Sequence, residues 1–224
     1  MNQVFKRDYP VTNCLLGITT LVFLAMQILR FGQATSSQTI FDFGGLFGLA
    51  VRQDVTQIWR LLTPIFVHIG WEHFLFNGFT LLIFGYEVED IFGPWRFLAL
   101  YSLSGLMGNV FVFYFTPDVV AAGASSSLFG LFGVMAVLRY QSRSAYVRFL
   151  GQRYVGLLIA NLIVTFISPN ISIAGHIGGL IGGAFCAFML VLPREPWLFT
   201  KGQRLLVWLA YVGLALILIF LAIK

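Results

Sequence analysis

The 224-residue chain is 58% hydrophobic and 10% charged, with a mean hydropathy of +0.87. Soluble domains carry roughly a quarter charged residues, so a soluble globular domain is excluded and a polytopic membrane protein is expected. The net charge of +5 is dispersed among apolar segments with no stripe of interleaved aromatics, which argues against nucleic acid as a partner and for charge that sets membrane topology.

Seven apolar runs follow one another, at about 11–31, 71–91, 95–116, 125–138, 152–168, 174–192 and 204–223, and predict an all-α polytopic bundle with the lipid bilayer as its solvent. Lys6 and Arg7 ahead of the first run resemble the start of a signal peptide. No small-residue cleavage site follows, however, and the run is long enough to span, so it is read as a retained helix after a short cytosolic N-terminus, 1–10. Arg96 follows the second run. Arg139, Arg143, Arg148 and Arg153 separate the fourth from the fifth, and Arg194, Lys201 and Arg204 separate the sixth from the seventh. These ten basic residues share one side, against Arg30, Arg52, Arg60 and Lys224 on the other, which predicts a cytosolic N-terminus and an external C-terminus. The external connection at about 32–70 is long and rich in Phe, Leu, Gly and Trp; it is expected to lie partly in the membrane interface, with Trp59 as an anchor. Cys14 and Cys186 sit in apolar runs without metal-type spacing, against a disulfide framework or a zinc site. With no internal repeat or low-complexity linker, one domain is expected.

Ionisable residues within a membrane are functional candidates by default. The three histidines, His68, His73 and His176, all fall near external ends of runs. At about 1.5 Å per residue, Ser125 stands roughly 21 Å above Arg139, His73 roughly 24 Å above Glu89 and His176 roughly 27 Å above Arg194. In a hydrocarbon core of about 30 Å, three helices therefore deliver polar groups to one layer below the outer surface. The fourth run, Ser125 to Leu138, is too short to span and must begin inside the membrane. Irregular backbone such as Ala121 to Ala124 is tolerated there only when buried in protein or lining water, and a wet cavity opening outward is expected.

A serine hydroxyl is a weak nucleophile until a base takes its proton, and histidine suits that task near neutrality. Ser125 and His176 are the candidate pair. Gly179 and Gly183 lie on nearly the same helix face as His176 and allow another helix to approach it closely. His73 and Asn77, four residues apart and on one face, can both donate hydrogen bonds; with the Ser125 amide at a helix N-terminus they form a candidate oxyanion site. The one carboxylate in the outer half of a run, Glu72, points about 100° away from His73, so no third member is evident and a Ser-His dyad is read. Orientation of the imidazole is then left to packing, with Phe129, one turn after Ser125, as the ring to lie against His176. His68 and His73 are five apart and do not match the spacing of a zinc protease, and no run supplies the two aspartates of an aspartyl protease.

In these residues the chain resembles the rhomboid family of intramembrane serine proteases, from about Trp59 to Gly183. The signatures are Trp59-Arg60 in the long loop, His68 with His73 and Asn77 at the second run, Gly123-Ala124-Ser125 at the fourth, and Ala174-Gly175-His176 with Gly179 and Gly183 at the sixth. The resemblance implies Ser125 as nucleophile, His176 as general base, and His73, Asn77 and the Ser125 amide as oxyanion donors. It implies a catalytic core of six helices over 11–193, with 194–224 adding a cytosolic loop and a seventh, C-terminal helix. Glu89, followed by Gly93, looks like the family's buried structural glutamate. Two departures are Ser126 where Gly is frequent, expected to crowd the scissile peptide, and Phe129 where Tyr is also common.

The resemblance further implies substrates that are single-pass or membrane-anchored proteins, cut near the external end of their transmembrane segment, and no cofactor. Since a helix must unwind before its carbonyl can be attacked, helix-breaking residues near the cut are favoured. The fifth helix and the loop from Ser168 to Ile173, with Pro169, Asn170 and Ile171, are the expected gate and cap. A compact protein of the bacterial plasma membrane is expected. Two other classes, a client-binding rhomboid-like protein without activity and a small transporter suggested by the broken fourth helix, are disfavoured by the retained Ser125 and His176 and by the lack of repeats.

Overall fold

The computed structural model describes residues 8–168 and 171–224. Lys6 and Arg7, counted above as flanking charge, and Pro169 and Asn170, placed above in the cap, lie outside the described residues.

Helix α1, Pro10–Leu29, opens on a proline, whose missing N–H falls where a helix makes no internal bond. The long connection then folds into α2 (Ser37–Asp42), a two-residue strand β1 (Leu46–Phe47), α3 (Gly48–Gln53) and two 3-10 segments, Val55–Leu61 and Thr63–Phe66. The second apolar run is a helical column of α4 (Gly70–Thr80), a π-helical stretch Leu81–Gly85 and α5 (Tyr86–Phe92). There follow α6 (Pro94–Phe115), β2 (Val120–Ala121), α7 (Ser125–Gln141), α8 (Ala145–Ile167), α9 (Ile173–Met189) and α10 (Lys201–Ile223). The seven expected runs are thus all helical, and the chain is an all-α membrane bundle. Helices α1, α6, α8 and α10 are each long and apolar enough to cross a membrane, and the outward faces of α8 and α10 carry exposed Ile, Leu and Phe, the surface of a protein solvated by lipid.

Helices α6, α7 and α9 form the centre, and glycine sets their separation. A Cβ on Gly179 would run into the Ser126 backbone of α7, and one on Gly183 into the Gly130 carbonyl; one on Gly178 would sit 2.9 Å from the Gly108 Cα of α6. Residues 126 and 130 thus meet 179 and 183 in the same order, so α7 and α9 run parallel. In lipid, where apolar side chains gain nothing by leaving their solvent, such close backbone packing is what holds helices together.

The long connection is folded rather than merely interfacial. Arg60 is buried between the Phe41 and Trp59 rings and donates from Nη1 to the carbonyls of Phe41 (2.5 Å) and Gly45 (3.0 Å). Asn109 of α6 donates to the Leu61 carbonyl at 3.0 Å, tying the connection to the central helices. β1 pairs antiparallel with β2, Leu46 opposite Ala121 and Phe47 opposite Val120, so the connection also fastens the segment that leads into α7.

At the opposite end the fifth helix begins seven residues before its expected start at 152, because Ser144 caps it and Val147 and Leu150 are buried. An apolar run is broken by Arg148 and Arg153, whereas a helix passes through them. Buried Glu195 accepts hydrogen bonds from Ser142 Oγ, Arg143 N (2.7 Å) and Ser144 N (3.1 Å), which fixes the α7–α8 joint.

Replacing Gly179 by Ala is expected to destabilise the protein by about 1–3 kcal/mol, the usual cost of overpacking. Gly156→Ala, at a position with nothing within 4 Å of the added methyl, is expected to leave stability unchanged or raise it. Thermal unfolding midpoints in one detergent check both.

Candidate functional site

The site forms where the start of α7 meets α4, α8 and α9. Helix α7 begins at Ser125 itself, and its 17 residues span about 26 Å at 1.5 Å per residue, short of a hydrocarbon core of about 30 Å. The backbone ahead of it is held by protein. Gly123 N donates to the Pro64 carbonyl at 2.9 Å, and Ala124 N donates to His68 Nε2 at 3.3 Å. These bonds and the β1–β2 pair give this irregular backbone protein partners, the first of the two settings in which such backbone is tolerated at depth. Gly123 has φ +131°, a conformation that favours glycine, and the space a side chain would take there is filled by His73, whose Nε2 lies 2.7 Å from an added Cβ.

Ser125 is part-exposed, whereas Ser126 and Ser127 are buried. The three serines diverge as successive helical residues must: Ser126 packs against Gly108 and Ser127 against Gly105, both on α6. Ser126 therefore does not crowd the opening beside Ser125, contrary to expectation. Among the described residues no hydrogen bond engages Ser125 Oγ. In free enzymes such contacts are often long and tighten when substrate binds.

His176 sits in the first turn of α9, whose N-terminus is capped by Ser172 accepting from Gly175 N at 3.0 Å. The imidazole stacks on the Phe129 ring with centroids 4.0 Å apart and planes at 17°. Phe129 follows Ser125 by one turn on the same face, so the stack sets His176 against the face of α7 that carries Ser125. Gly179 and Gly183 make this possible by letting α9 lie against α7. The imidazole is not held by packing alone, since its Nδ1 lies 2.8 Å from Thr165 Oγ1 on α8. Sequence reasoning missed Thr165. A signal existed: only five residues separate α8 from α9, and residues 165 and 176 lie nearly symmetrically about their middle.

On α4, His73 Nδ1 accepts from Ile69 N at 3.3 Å. In a neutral ring that leaves the proton on Nε2, the nitrogen facing Gly123. Asn77 is buried one turn further in and donates one amide hydrogen to the His73 carbonyl at 2.9 Å, keeping a second to offer. His68 is fully buried beside His73, with ring centroids 5.1 Å apart, and serves the Ala124 amide rather than the opening.

The remaining expected site residues lie apart from this cluster. Trp59 and Arg60 contact the long connection, and Glu89 accepts from Val11 N (3.1 Å), Thr12 N (2.8 Å) and Thr12 Oγ1 (2.6 Å) at the start of α1. In the cap, Ile171 is half-buried. Among the described residues no cluster of His, Cys, Asp or Glu could hold a metal ion.

The Rhomboid domain family profile matches residues 55–193. The chain is 38% identical to Rhomboid protease GluP of Bacillus subtilis (strain 168) over 202 residues, 88% of this chain and 39% of that protein. It is 31% identical to Putative rhomboid protease YdcA of the same organism over 194 residues, 86% and 94% of the two chains. It is also 30% identical to Inactive RHOMBOID-like protein 8 of Arabidopsis thaliana over 148 residues, 65% and 42%. The chain thus spans about two fifths of the first relative and nearly all of the second.

His68→Phe removes the acceptor for the buried Ala124 amide and is expected to cost about 1–3 kcal/mol, the penalty for an unsatisfied buried donor. His68→Gln, which keeps an acceptor, is expected to lose less. Denaturation of the two variants in detergent provides the comparison.

Proposed function

The chain belongs to the rhomboid family, and from that premise we propose that it is an intramembrane serine endopeptidase acting through Ser125 and His176. The observation that carries this reading is the stack of His176 on Phe129, one turn below a part-exposed Ser125 at the start of a helix too short to span the membrane.

In this mechanism His176 Nε2 takes the Ser125 Oγ proton as the oxygen attacks the scissile carbonyl carbon. Negative charge gathers on the carbonyl oxygen, where the Ser125 amide, His73 Nε2–H and the second amide hydrogen of Asn77 donate to it. The C–N bond breaks as His176 returns the proton to the leaving amine, and water, activated by the same imidazole, hydrolyses the acyl-enzyme. Because the donors are fixed by protein contacts before substrate arrives, they need no reorganisation in the transition state. Residues 11–193 form the catalytic core and 194–224 the additional loop and helix.

The substrates are single-pass or membrane-anchored proteins that unwind near the external end of their transmembrane segment. They enter beside α8, whose outer half carries exposed Ile159, Ile163, Phe166 and Ile167. The N-terminus is cytosolic and the C-terminus external, as the ten-to-four distribution of basic residues favours. The two Bacillus relatives favour the bacterial plasma membrane.

A client-binding protein without activity is the second reading, favoured by the unengaged Ser125 hydroxyl and by the relative named inactive. Labelling by a fluorophosphonate that requires both Ser125 and His176 separates the two.

Purified protein is expected to cleave a model transmembrane substrate. Ser125→Ala and His176→Ala should each abolish cleavage, and full activity in either would sink the assignment. Asn77→Ala should lower kcat by about 10²–10³-fold with little change in KM, as for other oxyanion donors.

A further inference from the structure

We propose that Thr165 is a positioning residue that holds His176 in the tautomer with its proton on Nδ1, leaving the Nε2 lone pair as the base. The proposal rests on the protease reading for its consequence but not for its geometry.

A neutral imidazole carries one proton, and which nitrogen holds it is set by the bond the other nitrogen makes. Thr165 Oγ1 stands 2.8 Å from His176 Nδ1 and also 2.8 Å from the Asn161 carbonyl oxygen, one turn back on α8. A hydroxyl has one hydrogen and two lone pairs. The carbonyl has no hydrogen to offer, so the hydroxyl proton belongs on that side, in the back-bond that threonine commonly makes within a helix. Only a lone pair then remains for His176, and Nδ1 must bring the hydrogen. The opposite assignment would set two oxygen lone pairs against each other at 2.8 Å in a buried place, with no hydrogen between them.

The burial of Thr165 has the same cause. Beyond Leu158 it is the one buried residue of α8, while Ile159, Ile163, Val164, Phe166 and Ile167 around it are exposed. The outer half of α8 thus turns inward at a hydroxyl and not at an apolar side chain. Thr165 itself is 1% exposed and His176 7%, so water does not compete for the bond.

The device differs from a carboxylate partner. A neutral hydroxyl fixes the ring and its tautomer without adding a charge. The stack on Phe129 fixes the plane of the same ring but is indifferent to a half-turn about Cβ–Cγ, which exchanges each nitrogen with a ring carbon; the Thr165 bond to Nδ1 removes that ambiguity.

The test uses full-length protein labelled with 15N-histidine in detergent at neutral pH, with the His176→Ala spectrum assigning the His176 signals among the three histidines. Wild type is expected to show His176 protonated at Nδ1 and unprotonated at Nε2. Thr165→Val, of the same shape but without the hydroxyl, should give a mixture of tautomers and lower kcat about 10–100-fold, a part of the roughly 10²–10⁴-fold that general acid–base catalysis contributes, at nearly constant KM. Thr165→Ser should restore both the spectrum and kcat. A wild-type spectrum with the proton on Nε2 overturns the proposal. So does a Thr165→Val protein with unchanged tautomer and kcat, or a loss that Thr165→Ser does not recover. Activity surviving in Ser125→Ala would instead remove the protease reading and leave the tautomer assignment standing.

Discussion

The backbone contact between α7 and α9 is the constraint on which the rest of the site depends. Gly179 and Gly183 leave no Cβ between those helices and the Ser126 and Gly130 backbones, and the parallel register that results sets His176 at the level of Phe129. Had either glycine carried a side chain, the helices would stand farther apart and the imidazole would leave its stacked position. In a lipid solvent no hydrophobic force between helices repairs such a gap, so the placing of His176 and bundle cohesion rest on the same small residues.

A second constraint follows from placing irregular backbone at depth. The segment from Val120 to Ala124 cannot be helical if α7 is to start at Ser125, and each of its polar groups then needs a partner away from water. The folded connection supplies them: β1 pairs with β2, the Pro64 carbonyl takes Gly123 N–H, and His68 takes Ala124 N–H. Arg60, bonded to carbonyls of the connection, and Asn109, bonded to Leu61, keep that platform folded and attached. The long connection is thus the support for the start of the helix that carries Ser125.

The histidines show how neighbours assign different work to one side-chain type. His73 receives a backbone N–H on Nδ1 and so presents a donor at Nε2. His176 meets a hydroxyl whose proton is committed elsewhere and so presents an acceptor. His68, accepting from Ala124, serves the backbone.

Membrane class, the seven helical runs, the shortness of the fourth and the gathering of His73 and His176 about the start of α7 were legible in the sequence, because hydropathy and rise per residue are local properties. So was the placing of Phe129 one turn from Ser125, which helical spacing alone dictates. The start of α8 was misread because arginines end an apolar run without ending a helix. Helical spacing turns Ser126 away from Ser125, but that α6 covers it could not be read, because only the position of α6 says which side of α7 is covered. Thr165 with His176, His68 with Ala124 and Glu195 with the α7–α8 joint are hydrogen bonds between separate segments. A membrane interior requires that such polar groups be paired, and that requirement can be read from sequence; which partner meets it depends on how the helices lie against one another, and the tertiary structure alone decides that.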